Sequence, residues 1–308
     1  MAPDVVICEC FARDGLQHEA LFVETPAKIE IIDMIAACGF PRVEATSYAH
    51  PAQVPQFRDA DAVLRGIRRP PGAVFKATCP NEKAVQRALA AQDAGEGPEE
   101  ISFLTSMTEG HSQRNLRRSM DDQWRNVAAM ARAANDRFSI VGSTSVAFDC
   151  PFDGKVPVAG VVDAAERFAA LGIRKMSVGD TIGTATPQRV RELFMALQRD
   201  VPDMTCIAHF HDTNGTAIAN CIAALEAGVR YFDTGLGGTG GHPARIQYGE
   251  GFTGNVCTED FCTLLAAMGI DTGLDMDAVY QTARAGERLL GRELHGKTTR
   301  RGETAAWS

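Results

Sequence analysis

Two histidines lie two residues apart in the run His209-Phe210-His211-Asp212-Thr213-Asn214-Gly215. In extended backbone successive side chains face opposite ways, so His209 and His211 project together while Phe210 points away. Neutral imidazoles at that spacing can share one divalent ion, with Asp212 to Gly215 as a polar turn into the next segment. The spacing alone also suits one histidine hydrogen-bonded in a core and the other in solvent, because no further ligands at fixed intervals accompany the pair. Other residues able to do chemistry stand at the ends of apolar runs: Arg13-Asp14-Gly15-Leu16-Gln17, Glu44 and Thr46, Asp180-Thr181, and Gly254-Asn255. Each taken singly reads equally as a surface charge or a helix cap. As a set they suit one convergent site.

The elements that would position them alternate eight times. Strand-like runs cover Val5 to Phe11, Arg42 to Tyr48, Ala73 to Thr78, Glu100 to Thr105, Phe138 to Ala147, Lys175 to Asp180, Thr205 to His211 and Tyr231 to Leu236, starting 26 to 38 residues apart. Amphipathic stretches follow: Pro26 to Cys38, Pro51 to Gly66, Glu82 to Ala94, Asn115 to Asn135, Val161 to Leu171, Pro187 to Arg199, Thr216 to Ala227 and Thr258 to Met268. Thr25-Pro26 and Thr186-Pro187 read as helix starts with a capping threonine, and Gly39, Gly95, Gly172 and Gly228 as helix stops. Eight strand–helix units without a Pro/Gly/Ser linker predict an α/β fold: a single-domain (β/α)8 TIM barrel over residues 1–296, with a polar C-terminal tail at 297–308. In such a barrel chemistry gathers where strands end, which is where the residues above fall.

Composition narrows the function. The 308 residues are 45% hydrophobic and 23% charged, with a net charge of -8 and no basic cluster, so no nucleic-acid partner is expected. No apolar run reaches eighteen residues, so no membrane span is expected. The N-terminus lacks a signal-peptide pattern, and the nine cysteines have no Cys-x-x-Cys spacing, which reads as reduced thiols in a cytoplasmic protein. A barrel of this kind is compatible with a homo-oligomer, although no exposed apolar stripe is identifiable.

These residues resemble the 3-hydroxy-3-methylglutaryl-CoA lyase family, within a wider group of metal-dependent barrel lyases and acyl-condensing enzymes. The resemblance rests on Arg13 to Gln17, Val43-Glu44-Ala45-Thr46-Ser47, Cys79-Pro80-Asn81, Cys150 to Lys155, Gly179-Asp180-Thr181-Ile182-Gly183, His209 to Gly215 and Gly254 to Asp260, with a weaker match at Glu109, His111 and Asn115. It implies Asp14, His209, His211 and Asn255 as metal ligands, a mixed N/O set suited to Mg²⁺ or Mn²⁺ and compatible with Zn²⁺. It also implies Arg13 beside a thioester, Glu44 near the polar end of the substrate, Asp180 near the hydroxyl as its base or positioning partner, and substrate contacts at Gln17, Thr46, Asn81 and Asn115. The expected reaction is metal-dependent retro-Claisen cleavage of a 3-hydroxyacyl-CoA, with CoA carried as part of the substrate. Condensation of acetyl-CoA with a 2-oxo acid, and CoA-ester binding without catalysis, are the other functions weighed.

The chain departs from that family in one loop. The family's acid is a cysteine that follows a Gly-Leu-Gly-Gly segment, and after Gly235-Leu236-Gly237-Gly238 this chain has Thr239. A threonine hydroxyl holds its proton far above the ~8.5 of a thiol. His242, Tyr248 and Glu250 follow in the same loop as alternative donors, His242 being nearest the expected point. Cys257 lies beyond Asn255 and reads as a helix-start residue. Tyr48 and His50 stand where the family has a bulky apolar residue and a small one.

Overall fold

The structure, a computed structural model, describes residues 3–241 and 254–300. Strands β1 (Val6–Glu9), β2 (Arg42–Ser47), β3 (Val74–Thr78), β4 (Glu100–Ser106), β5 (Ser139–Ser145), β6 (Lys175–Asp180), β7 (Thr205–Phe210) and β8 (Tyr231–Thr234) form the interior layer. They close in the order β1-β8-β7-β6-β5-β4-β3-β2, each pairing parallel. Helices α1 (Thr25–Ala37), α2 (Ala60–Gly66), α3 (Glu82–Asp93), α4 (Met120–Ala134), α5 (Val158–Ala170), α6 (Pro187–Asp200), α7 (Ala217–Glu226), α8 (Thr258–Ala267) and α9 (Met276–Leu290) surround them. The fold is the expected TIM barrel, and no helix among the described residues is long and apolar enough to cross a membrane.

Apolar packing between strand and helix layers follows from the alternation. Phe210 is fully buried, its ring 6.2 Å from that of Phe148 and 6.3 Å from that of Phe194 on α6. This outward anchor leaves His209 and His211 facing inward.

Some boundaries differ from expectation for local reasons. Pro51 to Gly66 is not one helix: Pro55 opens a 3-10 turn at Pro55–Phe57, and α2 starts only at Ala60. Asn115 to Asn135 divides into a π-helical turn at Ser112–Leu116 and then α4, whose cap Ser119 accepts the Asp122 N–H at 3.1 Å. Thr25 does not cap α1; it is the first helical residue, and its hydroxyl donates to Asp59 Oδ2 at 2.7 Å. Helix α9 lies beyond the eight expected units, capped by Asp275, whose Oδ1 accepts the Ala278 N–H at 3.1 Å. The start of the polar tail is docked, because Asp260 on α8 accepts N–H bonds from Lys297 and Thr298 at 2.8 to 3.0 Å.

The barrel interior is charged, where branched apolar side chains usually fill such a core. Arg42, Glu44, Lys76, Glu100 and Asp233 are each at most 4% exposed. At one level Glu100 Oε1 accepts from Arg42 Nε (3.0 Å) and Nη2 (2.5 Å), while its Oε2 accepts from Lys175 Nζ (2.9 Å) and Ser139 Oγ (3.0 Å). Buried charges persist only when paired and hydrogen-bonded, and Glu100 meets both conditions.

Candidate active site

Immediately after β1 the chain makes a π-helical turn, Phe11–Gly15, that carries Arg13 and Asp14. Such turns widen a helix by one residue and re-aim its side chains. Glu9 anchors this one: its Oε1 accepts N–H bonds from Phe11 and Leu236, both at 2.9 Å, and its Oε2 accepts from the Thr258 hydroxyl at 2.5 Å. One buried carboxyl group thereby ties the loops after β1 and β8 to the start of α8. Arg13 Nη1 then lies 2.7 Å from Asp14 Oδ1, and its Nη2 2.7 Å from Glu44 Oε2. Burial alone would raise the Asp14 pKa, but the Arg13 guanidinium and the two histidines hold it below the usual carboxylate range.

His209 and His211 bring their Nε2 atoms to 3.2 Å from each other. Asp233 on β8, in register with His209, places Oδ2 3.3 Å from His209 Nδ1. A carboxylate at Nδ1 puts the hydrogen there and leaves Nε2 a lone-pair donor. Burial, and then the neighbouring His209, pushes the His211 pKa down to about 3, so that imidazole is neutral near pH 7. Donor atoms of Asp14, His209 and His211 lie within 4.8 Å of one another.

Asn255 completes the group through a bridge with His211. Its Nδ2 donates to Asp14 Oδ2 at 2.7 Å and to the Thr239 carbonyl at 2.9 Å, while its buried Oδ1 has no hydrogen-bond partner. An orphaned amide oxygen beside two imidazoles and a carboxylate is a donor set that fits a hard or borderline divalent cation. Gly240, at φ 120, runs directly against this group: a Cβ there would sit 2.0 Å from Asn255 Nδ2 and 2.7 Å from Asp14 Oδ2. Thr239 itself turns away, its hydroxyl donating to the Leu236 carbonyl at 2.9 Å. The residue that enters the site is Gly241, which lines the cavity and whose carbonyl accepts from Gln17 Nε2 at 2.7 Å. Gln17 Nε2 also reaches Asp14 Oδ1 at 2.6 Å. His242, Tyr248 and Glu250 lie outside the described residues.

Arg13, Asp14, Gln17, His209, His211 and Gly241 line one side of a cavity of about 110 Å³ that opens to solvent. Asn115, from the π-helical turn before α4, also lines it. Five expected site residues among the described ones are not in its lining: Asn255, which joins the group through Asp14 and His211, and Glu44, Thr46, Asn81 and Asp180. Thr46 is buried in β2 beside a register shift. Asn81 caps α3, its Oδ1 accepting the Ala84 N–H at 3.1 Å. Asp180 alternates with Gly179 and Thr181, which face the cavity, so its carboxylate points elsewhere and accepts N–H bonds from Thr184 (3.1 Å) and Ala185 (3.0 Å). Burial raises its pKa to about 6. Glu44 lies behind the cavity lining and reaches it through Arg13. The cavity also contains residues that the sequence did not single out, Lys76, Asp233 and the hydroxyl-bearing Ser143, Thr144, Ser145 and Ser177, together with Thr181. Thr181 Oγ1 accepts the N–H of Val146 at 2.7 Å, holding that β-branched residue at φ 54, a strained backbone that turns the chain after β5.

A closed β/α barrel with a His-x-His pair, an aspartate and an asparagine at its strand ends defines a barrel enzyme with a metal-type donor set. Comparison with known proteins gives the particular family: the HMGL-like family matches residues 4–285, and the chain belongs to it. Mouse mitochondrial hydroxymethylglutaryl-CoA lyase is 37% identical over 278 residues, covering 90% of this chain and 83% of that one. An HMG-CoA lyase from Acinetobacter baumannii, solved with coenzyme A and 3-methylmalate, superposes with a TM-score of 0.91 at 31% identity, covering 99% of this chain and 97% of that one. Hydroxymethylglutaryl-CoA lyase from Pseudomonas aeruginosa gives a TM-score of 0.90 at 34% identity, covering 97% of each chain. The protein is therefore an HMG-CoA lyase-like enzyme.

Proposed function

We propose that this enzyme cleaves a 3-hydroxyacyl-CoA by divalent-metal-dependent retro-Claisen chemistry, releasing acetyl-CoA or a related CoA ester and an oxo acid. The candidate substrates are 3-hydroxy-3-methylglutaryl-CoA and close analogues such as citramalyl-CoA. The observation that carries this assignment is the convergence of Asp14, His209 and His211 within 4.8 Å, in the same cavity as Arg13. The coenzyme A and 3-methylmalate bound by the Acinetobacter relative support the substrate class.

Asp14, His209, His211 and Asn255 would hold Mg²⁺ or Mn²⁺, with Zn²⁺ compatible, and Asn255 has its free Oδ1 for the purpose. When bound, such an ion acts as a Lewis acid toward the substrate's hydroxyl and carboxylate oxygens. Arg13 keeps its charge, because Glu44 and Asp14 outweigh the burial that would weaken it. In our assignment it faces the thioester carbonyl and stabilises negative charge that develops only as the carbon–carbon bond breaks. Glu44 acts through Arg13, fixing the guanidinium with its 2.7 Å contact. Gln17 holds Asp14 against Gly241, and Asn115 contacts substrate at the cavity wall.

Asp180 enters as a positioning residue: it holds the loop after β6 so that Thr181 stays at the cavity wall. Asp180→Asn is then expected to lower kcat without moving the acidic limb of the pH–rate profile. We assign delivery of the proton to the enolate carbon to His242, which directly follows Gly241 in the chain. We place the enzyme in the cytoplasm, in keeping with nine unpaired cysteines. Mass spectrometry of products from a panel of 3-hydroxyacyl-CoA esters with Mg²⁺ and Mn²⁺ tests the assignment. A thioester product that disappears in His211→Ala is expected; no turnover of any panel member would sink it.

A further inference from the structure

The first strand brings two thiols to the inside of the barrel. Cys8, in β1, and Cys10, just after it, are two residues apart and fully buried. Ile7 belongs to the apolar core between strands and helices, and neither of these cysteines does, as the alternation of a strand requires. Their sulfurs lie 4.0 Å apart, and the Cys10 thiol makes only long contacts, to Cys8 Sγ and, at 3.6 Å, to the Cys8 carbonyl. A disulfide needs about 2.05 Å between the two sulfurs. Two thiolates on one tetrahedral zinc-like ion, at about 2.3 Å each, stand about 3.8 Å apart. The observed spacing fits the second arrangement.

A third donor faces them. Asp233 on β8 is in register with Cys8, and donor atoms of Cys8, Cys10 and Asp233 lie within 4.8 Å of one another. Asp233 Oδ2 accepts from Ser177 Oγ at 3.0 Å and faces His209 Nδ1 at 3.3 Å, with Lys76 Nζ 4.0 Å away. Its Oδ1 is buried without a hydrogen-bond partner, since Arg42 Nη1, 3.7 Å away, supplies charge but no bond. An open carboxylate oxygen beside two thiols is a mixed sulfur–oxygen donor set. Arg42 and Lys76 would repel a bare cation. Binding of a divalent ion, however, exchanges two S–H bonds for two sulfur–metal bonds and releases two protons, so the charge of the interior is unchanged. The thiolates so formed are stabilised by those same two cations. Asp233 also lines the active-site cavity, which places the group directly behind a wall that solvent reaches.

We propose that Cys8, Cys10 and Asp233 form a second metal site, separate from the Asp14 group, that takes a thiophilic d10 cation such as Zn²⁺ or Cd²⁺. Mg²⁺ and Mn²⁺ favour oxygen and nitrogen donors and stay at the Asp14 group. The two sites share one carboxylate, whose Oδ2 faces His209 and whose Oδ1 faces the thiols. An ion on Oδ1 draws charge from the acceptor of His209 Nδ1, so filling the thiol site weakens the hold on Mn²⁺.

The test titrates Cd²⁺ into the metal-stripped, reduced full-length protein at saturating Mg²⁺, following ultraviolet thiolate-to-cadmium charge transfer. Wild type should show a band carried by one Cd²⁺ per chain, with two protons released per ion and two sulfur neighbours by X-ray absorption. Cys8→Val and Cys10→Val, which keep an apolar side chain of similar size, should each lose the band while thermal melting and Mn²⁺ binding stay near wild type. Asp233→Asn should keep both sulfur neighbours and bind Cd²⁺ ~10-fold more weakly, through loss of a ligand charge. No charge-transfer band in wild type, or a band unchanged in Cys8→Val or Cys10→Val, overturns the proposal. Unchanged Cd²⁺ affinity in Asp233→Asn overturns the three-residue site.

Discussion

The two ends of the barrel interior use the same residue types and leave them in opposite conditions. Toward the strand starts, Glu100 accepts four donors from Arg42, Lys175 and Ser139. Toward the strand ends, His211, Asn255 and Asp233 are equally buried but incompletely bonded: His211 Nδ1, Asn255 Oδ1 and Asp233 Oδ1 have no hydrogen-bond partner. The two regions meet at Arg42, whose Nη1 lies 3.7 Å from Asp233 Oδ1. A saturated buried carboxylate is structural, because nothing remains for a ligand to satisfy. A cluster of unsatisfied polar atoms around one cavity is what a binding site looks like before its ligand is counted.

The contrast can be broken at either end. The largest expected effect is at the open end: Asp14→Ala should abolish metal-dependent turnover, lowering kcat/KM by on the order of 10³ or more, with cooperative unfolding retained. At the closed end, Glu100→Gln should cost stability, about 3–5 kcal/mol in denaturant unfolding, because it leaves Arg42 and Lys175 short of a buried counter-charge. Mn²⁺ affinity in that variant should remain near wild type. A large loss of metal affinity would show that the two ends are not separable.

Asp233 belongs to the boundary. Asp233→Asn keeps the size but weakens the acceptor at His209 Nδ1, and about a 10- to 100-fold loss of Mn²⁺ affinity is expected by titration. The last effect concerns the clasp beneath the site. Burial raises the Glu9 pKa to about 8, outweighing its hydrogen bonds from Thr258, Leu236 and Phe11. Below about pH 4.5 Glu9 is protonated in both folded and unfolded chains, so it adds no pH dependence there. Between about 4.5 and about 8 only the unfolded chain has released the proton, so stability falls as pH rises, by up to ~1.4 kcal/mol per unit, and the loss levels off above about 8. Urea unfolding at pH 5 and pH 8 should show this slope in wild type and a flatter one in Glu9→Gln.

What the sequence disclosed follows from how local each signal is. Eight strands could be placed because each is a short β-rich run, and His209 and His211 could be put on one face because two-residue alternation needs no tertiary knowledge. Asp14 and Asn255 came from resemblance, since 241 positions separate them and only barrel closure brings Asn255 Nδ2 to Asp14 Oδ2. Lys76 and Asp233 were hidden for the same reason: a charged residue inside a strand gives no sign of which cavity it faces until the strands are in register. Asp180, which the resemblance implied near the hydroxyl, accepts N–H bonds from Thr184 and Ala185 while Gly179 and Thr181 line the cavity, an alternation that can be read only once the inward face of the strand is known. Helix α9 carried its own signals, the Asp275 cap and Gly291 at φ 64, but an eightfold count had no unit to assign it to.

The most direct test of the open end is pulsed electron paramagnetic resonance of the metal-stripped enzyme titrated with Mn²⁺. The predicted result is one ion per chain, with nitrogen couplings from two imidazoles that fall to one in His211→Ala. Mn²⁺ bound without nitrogen coupling, or with the same two couplings in His211→Ala, would contradict the account.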